Sequence, residues 1–177
     1  MKIKTFGASS LRKKTRPVEK ITEYHRDVLS KMARLMYESA GIGLAASQVG
    51  INQAMVVVDM GTGLYKLVNP RLIKKEGQQI NVEGCLSVPD ICIKVKRAKR
   101  VKVCAEDENG CPLTIDAEDL LACVLQHEID HLNGKLIIDY ASLLERARIG
   151  RRLTALKKKS KNEELPEPKT ESCQLQL

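Results

Sequence analysis

The chain has 177 residues, 43% of them hydrophobic and 29% charged, which fits one globular domain able to bury a core without disulfide support. Thirty Lys and Arg against 22 Asp and Glu give a formal charge of +8, yet Phe6, four tyrosines and no tryptophan leave almost no platform on which single-stranded nucleic acid could stack. No apolar run approaches the roughly 18 residues of a membrane-spanning helix, and the basic start MKIKTFGASSLRKK lacks the apolar stretch of a secretory signal, so no membrane partner and a cytoplasmic location are expected.

Residues 21–40 carry apolar side chains at 21, 24, 28, 32, 35 and 36, which predicts a helix closed by Gly41. GIGLAASQVG (41–50) reads as a tight Gly-rich loop. AMVVVD (54–59) reads as a buried strand, GTG (61–63) as a turn, and LYKLVN (64–69) as a second strand closed by Pro70. Short strands follow through 71–116, with Asn109-Gly110 marking a hairpin. Residues 117–134 show helical periodicity, acids in the first turn and Gly134 at the end. A last helix is expected over 142–159. The segment 1–156 is expected to be one catalytic domain, and 157–177, basic and then polar with two prolines, a disordered tail. Strands between terminal helices predict an α+β fold: short antiparallel or mixed sheets around the helix of 117–134.

That helix carries the most informative residues. His127 and His131 are four apart, so both imidazoles lie on one face and can reach one ion. Glu128 sits one residue round, placed to act on a water at the ion without ligating it. A catalytic metal site takes a third protein ligand and keeps one position open. Glu145 is the acid at the distance a thermolysin-type endopeptidase would use, while His25, among Tyr24, Val28 and Leu29, reads as a packing residue. The six cysteines contain no C-x-x-C pair and suggest no disulfide framework. Most read as small buried residues. Cys85, in EGCLS (83–87), has a thiolate suited to zinc or ferrous iron, but spacing alone does not single it out.

EGCLS (83–87), QHEIDHLNG (126–134) and GIGLAASQVG (41–50) together resemble the three signature segments of peptide deformylases, in the same order. LRKKTRPV (11–18) and GKLIIDY (134–140) extend the resemblance to about residues 3–155. The resemblance implies that Cys85, His127 and His131 hold one divalent metal, typically Fe²⁺ and replaceable by Zn²⁺, Ni²⁺ or Co²⁺. It implies Glu128 as general base, and Gln48 with the backbone N–H of Leu86 as donors to the oxyanion. The implied substrate is an N-formylmethionyl peptide, cleaved to formate and a free amine. Backbone near Ile42, Gly43 and Gly84 would pair with it, and Ile42, Leu120, Cys123 and Val124 would line the methionine pocket. Ile91 and Cys92 stand where the family often has Gly or Arg, which leaves an altered substrate range as one alternative. A zinc endopeptidase and a basic RNA-binding module with a structural metal are the others.

Charge is concentrated in two places. Residues 145–161 hold eight basic residues against Glu145, and 94–102 hold six. A solvated face is the ordinary account of such runs. The resemblance implies a second, docking of the basic C-terminal helix on the ribosome, where phosphates would supply the attraction.

Overall fold

A computed structural model describes residues 1–161. The expected tail from 162 onward lies outside the described residues. Helix α1 spans Glu23–Glu38. Its start is held by the Thr22 backbone N–H, which donates to His25 Nδ1 at 3.0 Å. The other ring nitrogen of His25 meets Gln53, so this buried histidine is a structural clamp, as expected. At the helix end Ala40, with φ 52°, takes the left-handed turn assigned to Gly41 by sequence.

The segment expected to be a plain loop contains strand β1, Gly43–Ala45, and a 3₁₀ turn over Ala46–Val49. Strands β2 (Met55–Asp59), β3 (Leu64–Glu76), β4 (Gln79–Glu83), β5 (Ile93–Arg97), β6 (Arg100–Glu106) and β7 (Pro112–Glu118) follow. Helix α2 covers Asp119–Leu132 and α3 covers Leu143–Lys161. Two antiparallel sheets result, one ordered β1-β2-β3-β6-β7 and one of β4-β5. This is the α+β architecture expected, with the Asn109-Gly110 hairpin joining β6 to β7.

Three sequence boundaries shift for physical reasons. Pro70 does not close β3. The register slips between Val68 and Arg71, Asn69 takes φ 53°, and its side chain bonds the backbone of Val18. A bulge is where a strand tolerates a residue without an N–H. Helix α2 begins at Asp119 because Ala117 and Glu118 still pair with Val101 and Arg100 in β7. Helix α3 continues through Lys161, two residues beyond the 159 expected from sequence.

Strand β2 reads as an unbroken apolar run because both its faces are covered. Val56 and Val58 join a cluster with Val124, Leu125 and Ile129 of α2. Met55 and Val57 pack with Leu29, Met32 and Met36 of α1. The two helices thus flank the larger sheet. A third cluster joins Cys85, Val88, Ile91, Ile93 and Val95 to Leu136, Ile137 and Leu156, with Ile149 and Leu153 of α3 packed against it. Gly134 ends α2 at φ 72°, and a Cβ there would lie 2.7 Å from the Arg12 carbonyl oxygen. The N-terminal segment is thereby closed onto the end of the helix.

Candidate metal centre

The apolar turn before His127 explains where the histidines point. Ala122, Cys123, Val124 and Leu125 are fully buried, so the helix enters the core and carries His127 and His131 in with it. Cys85 arrives from the turn after β4. Its Sγ lies 3.2 Å from His131 Nε2, which lies 3.1 Å from His127 Nε2. Ligand atoms of the three residues all fall within 4.8 Å of one another, and all three residues are buried. Glu145, the carboxylate of the endopeptidase alternative, instead accepts hydrogen bonds from Ser142 at the start of α3.

The donor set fits a divalent ion: one sulfur and two imidazole nitrogens converge in the interior. Burial pushes the Cys85 thiol up to about 12, and the Glu128 charge adds to that effect. Burial first, then the neighbouring His127, holds His131 well below its usual range, in the neutral form that can ligate. Glu128 is fully buried, and neither carboxylate oxygen has a hydrogen-bond partner among the described residues. Buried polar atoms are normally paired, so the unpartnered Glu128 carboxylate stands out beside the three converging side chains. Burial raises its pKa well above the carboxylate range. Gly43 makes room for it: a Cβ at that position would overlap Glu128 Oε1 and lie 2.9 Å from its Cδ.

Gln48 is oriented by its neighbours. Its Oε1 accepts from the Ala45 N–H at 2.7 Å, so Nε2 is the end facing Ser87 Oγ, at 3.2 Å, and Cys85 Sγ, at 3.7 Å. Gly84 is buried, Leu86 half-buried, and Gly43 lies in β1, an edge strand of the larger sheet. Ile42 and Leu120 are half-buried against the cluster holding Cys123 and Val124. Ile91 is a core residue at 2% exposure, which accounts for an apolar side chain there.

The sequence reading misses the polar shell behind the ligands. Glu83 Oε2 pairs with His127 Nδ1 at 2.9 Å, leaving Nε2 as the nitrogen that faces His131. Arg97 grips Glu83 through Nε and Nη2 at 2.7 and 2.8 Å, and its Nη1 contacts Asp130. Arg97 belongs to the basic run of 94–102, yet it is 5% exposed. Alternation along β5 is the signal that could have found it: Ile93, Val95 and Arg97 face inward while Lys94 and Lys96 face out. Ser87 likewise lies inside the EGCLS motif without a role assigned from sequence.

Burial alone would raise the Glu83 pKa, but hydrogen bonds from Arg97 and His127 bring it down to about 2. A depressed carboxylate stabilises the fold above its unfolded value and loses that contribution as pH falls through the folded one. The stability Glu83 provides is therefore present above about 4.5 and lost between there and about 2. Denaturation midpoints measured across that window should fall for the wild type. Glu83→Gln should lower the midpoint at neutral pH and flatten the fall.

The family model for polypeptide deformylase matches residues 1–147. A peptide deformylase of Thermoanaerobacter pseudethanolicus is 48% identical over 139 residues, 78% of this chain and 87% of the relative. The crystal structure of the Thermus thermophilus peptide deformylase superposes with a TM-score of 0.85 at 33% identity, covering 89% of this chain and 98% of that one. A Synechococcus elongatus peptide deformylase in complex with actinonin gives 0.81 at 36% identity, covering 85% and 86%.

Proposed function

The chain belongs to the polypeptide deformylase family, metal-dependent hydrolases that remove the N-formyl group from nascent peptides, and on that premise we propose that Cys85, His127 and His131 are its metal ligands and Glu128 its general base. The observation that carries the assignment is the orphaned Glu128 carboxylate beside the three converging ligand atoms. When bound, the ion supplies Lewis acidity toward the formyl carbonyl and lowers the pKa of water. Glu128 takes the proton from the attacking water and returns it to the departing amine. Gln48 Nε2 and the Leu86 backbone N–H donate to the oxyanion as the carbonyl becomes tetrahedral. Water oxygen bonds to the formamide carbon, the C–N bond breaks and its nitrogen takes the proton from Glu128, giving formate and a free N-terminus.

The open edge of β1 supports backbone pairing of the peptide with Ile42 and Gly43, and Gly84 is the further backbone partner this reading assigns, giving affinity with little demand on sequence. Ile42 and Leu120, half-buried, are the members of the expected set left to meet the methionine side chain, while Cys123 and Val124, at 0% exposure, lie in the core behind them. The family resemblance assigns Fe²⁺, with Zn²⁺, Ni²⁺ or Co²⁺ as substitutes, and a thiolate–imidazole set can hold any of the four. Among the described residues no helix is long and apolar enough to cross a membrane. The cytoplasm, where formylated chains emerge, is the compartment this reading assigns.

Anaerobically prepared protein should release formate from formyl-Met-Ala-Ser. Cys85→Ala should lose both the bound metal and the activity. Metal retained by that variant would return the assignment to an endopeptidase-like ligand set.

The basic face of α3 is the surface we assign to ribosomal RNA. Arg148, Arg151, Lys158 and Lys159 are exposed, while Leu156 and its neighbours hold the helix on the core. Replacing those four by Glu should weaken ribosome binding at low salt and leave hydrolysis of a short formyl peptide intact. Unchanged affinity would exclude this surface.

A further inference from the structure

We propose that Cys123 is a positioning residue of the metal centre: its thiol is the fourth donor to the Glu83 carboxylate and so fixes the His127 ring. The proposal rests on the reading of His127 as a ligand.

An ionised carboxylate offers about four acceptor positions, two on each oxygen. Glu83 has 0% exposure, so each position must be filled from within the protein. Arg97 Nε and Nη2 occupy one position on each oxygen. His127 Nδ1 occupies the second on Oε2. The second on Oε1 is taken by Cys123, whose Sγ lies 3.1 Å away and whose side chain is also 0% exposed. The set is complete with the thiol and short by one without it.

Helix geometry gives this fourth bond a purpose. Residues 123, 127 and 131 are each four apart and share one face of α2. Cys123 and His127, one turn apart, grip the two oxygens of the same carboxylate. His127 and His131, the next turn, present their Nε2 atoms to each other and to Cys85. With Arg97 alone the carboxylate could swing about the guanidinium fork, and the ring bonded to its far oxygen would swing with it. The thiol pins the near oxygen to the same helix that carries the ring. Burial and the Glu83 charge raise the thiol's pKa, so it remains a donor at neutral pH.

The test uses the full chain loaded anaerobically with Co²⁺, comparing wild type with Cys123→Ser, Cys123→Val and Cys123→Ala. The readouts are the cobalt absorption bands and the rate at which a chelator removes the ion. Losing a direct partner of a ligating histidine typically costs 10–100-fold, and one step further out the expected effect is about three- to tenfold. Cys123→Val and Cys123→Ala should release cobalt faster by that factor, with shifted bands. Cys123→Ser, which restores a donor, should stay within about twofold of wild type by the same reasoning. Cobalt retention by Cys123→Val at the wild-type rate overturns the proposal. So does a serine variant that releases as fast as valine, since packing and not the donor would then be responsible. A wild-type protein that takes up no cobalt overturns the ligand reading itself, and this proposal with it.

Discussion

Glu128→Gln is expected to lower kcat on a formyl-Met peptide by about 10²- to 10⁴-fold, the range attributed to a positioned acid–base group. The ligand atoms are untouched, so metal content should equal that of the wild type. The side chain is isosteric and its oxygens make no hydrogen bond that the amide would break, so the unfolding midpoint should move little. This combination separates the readings considered from sequence. In a domain where the metal is purely structural, the substitution would leave whatever activity exists unchanged. In a misfolded variant, metal and stability would fall with activity. Steady-state kinetics, metal analysis and thermal denaturation on one preparation decide between them, and full activity in a metal-replete variant would remove Glu128 from the mechanism.

Arg97→Met is expected to cost the most stability of any single change away from the ligands. Removing one partner of a buried ion pair destabilises by about 3–5 kcal/mol because the other charge is left uncompensated. Here two carboxylates lose their partner: Glu83, wholly buried, and Asp130, with a side chain 18% exposed. Tyr140 still donates to Asp130 at 2.6 Å and softens that half of the loss. For a chain of this length each kcal/mol is worth about 2–4 °C in Tm, so a fall of roughly 10 °C is expected. The double variant Glu83→Gln/Arg97→Met removes the stranded charge and should recover part of the loss in chemical denaturation. A double variant less stable than Arg97→Met by the full cost of Glu83→Gln would show that the two residues act independently.

The fold class and the convergence of Cys85, His127 and His131 were legible in sequence because each left a local mark. The spacing of His127 and His131 survives as helix geometry, and EGCLS placed Cys85 beside them once three motifs were read together. What escaped depended on tertiary pairing. Arg97 ends the run KVKR, and only the alternation imposed by pairing with β4 turns it inward while Lys94 and Lys96 stay out. Glu83 stands inside the same motif as Cys85, but the need for a partner on His127 Nδ1 emerges only when β4 is laid against α2. Pro70 misled because a bulge, and the Asn69 side chain that stabilises it, depends on Val18, 51 residues away. Strand β1 has three residues, two of them Gly43 and Ala45, too short and too small to announce themselves.

The proposed ligands come from two separately packed bodies. His127 and His131 ride on a helix whose apolar side belongs to the cluster on the larger sheet, whereas Cys85 belongs to the cluster shared with β5, Leu136, Ile137 and α3. An ion held by all three is therefore a cross-link as well as a reagent: it staples one hydrophobic body to the other through bonds that unfolding must break. Removing the ion would weaken the coupling between the two clusters, while Glu83 and Arg97 still tie β4 and β5 to α2 through His127 and Asp130. The proposed chemistry and part of the coupling between the clusters would then rest on one atom, and oxidation of the Cys85 sulfur would weaken both at once.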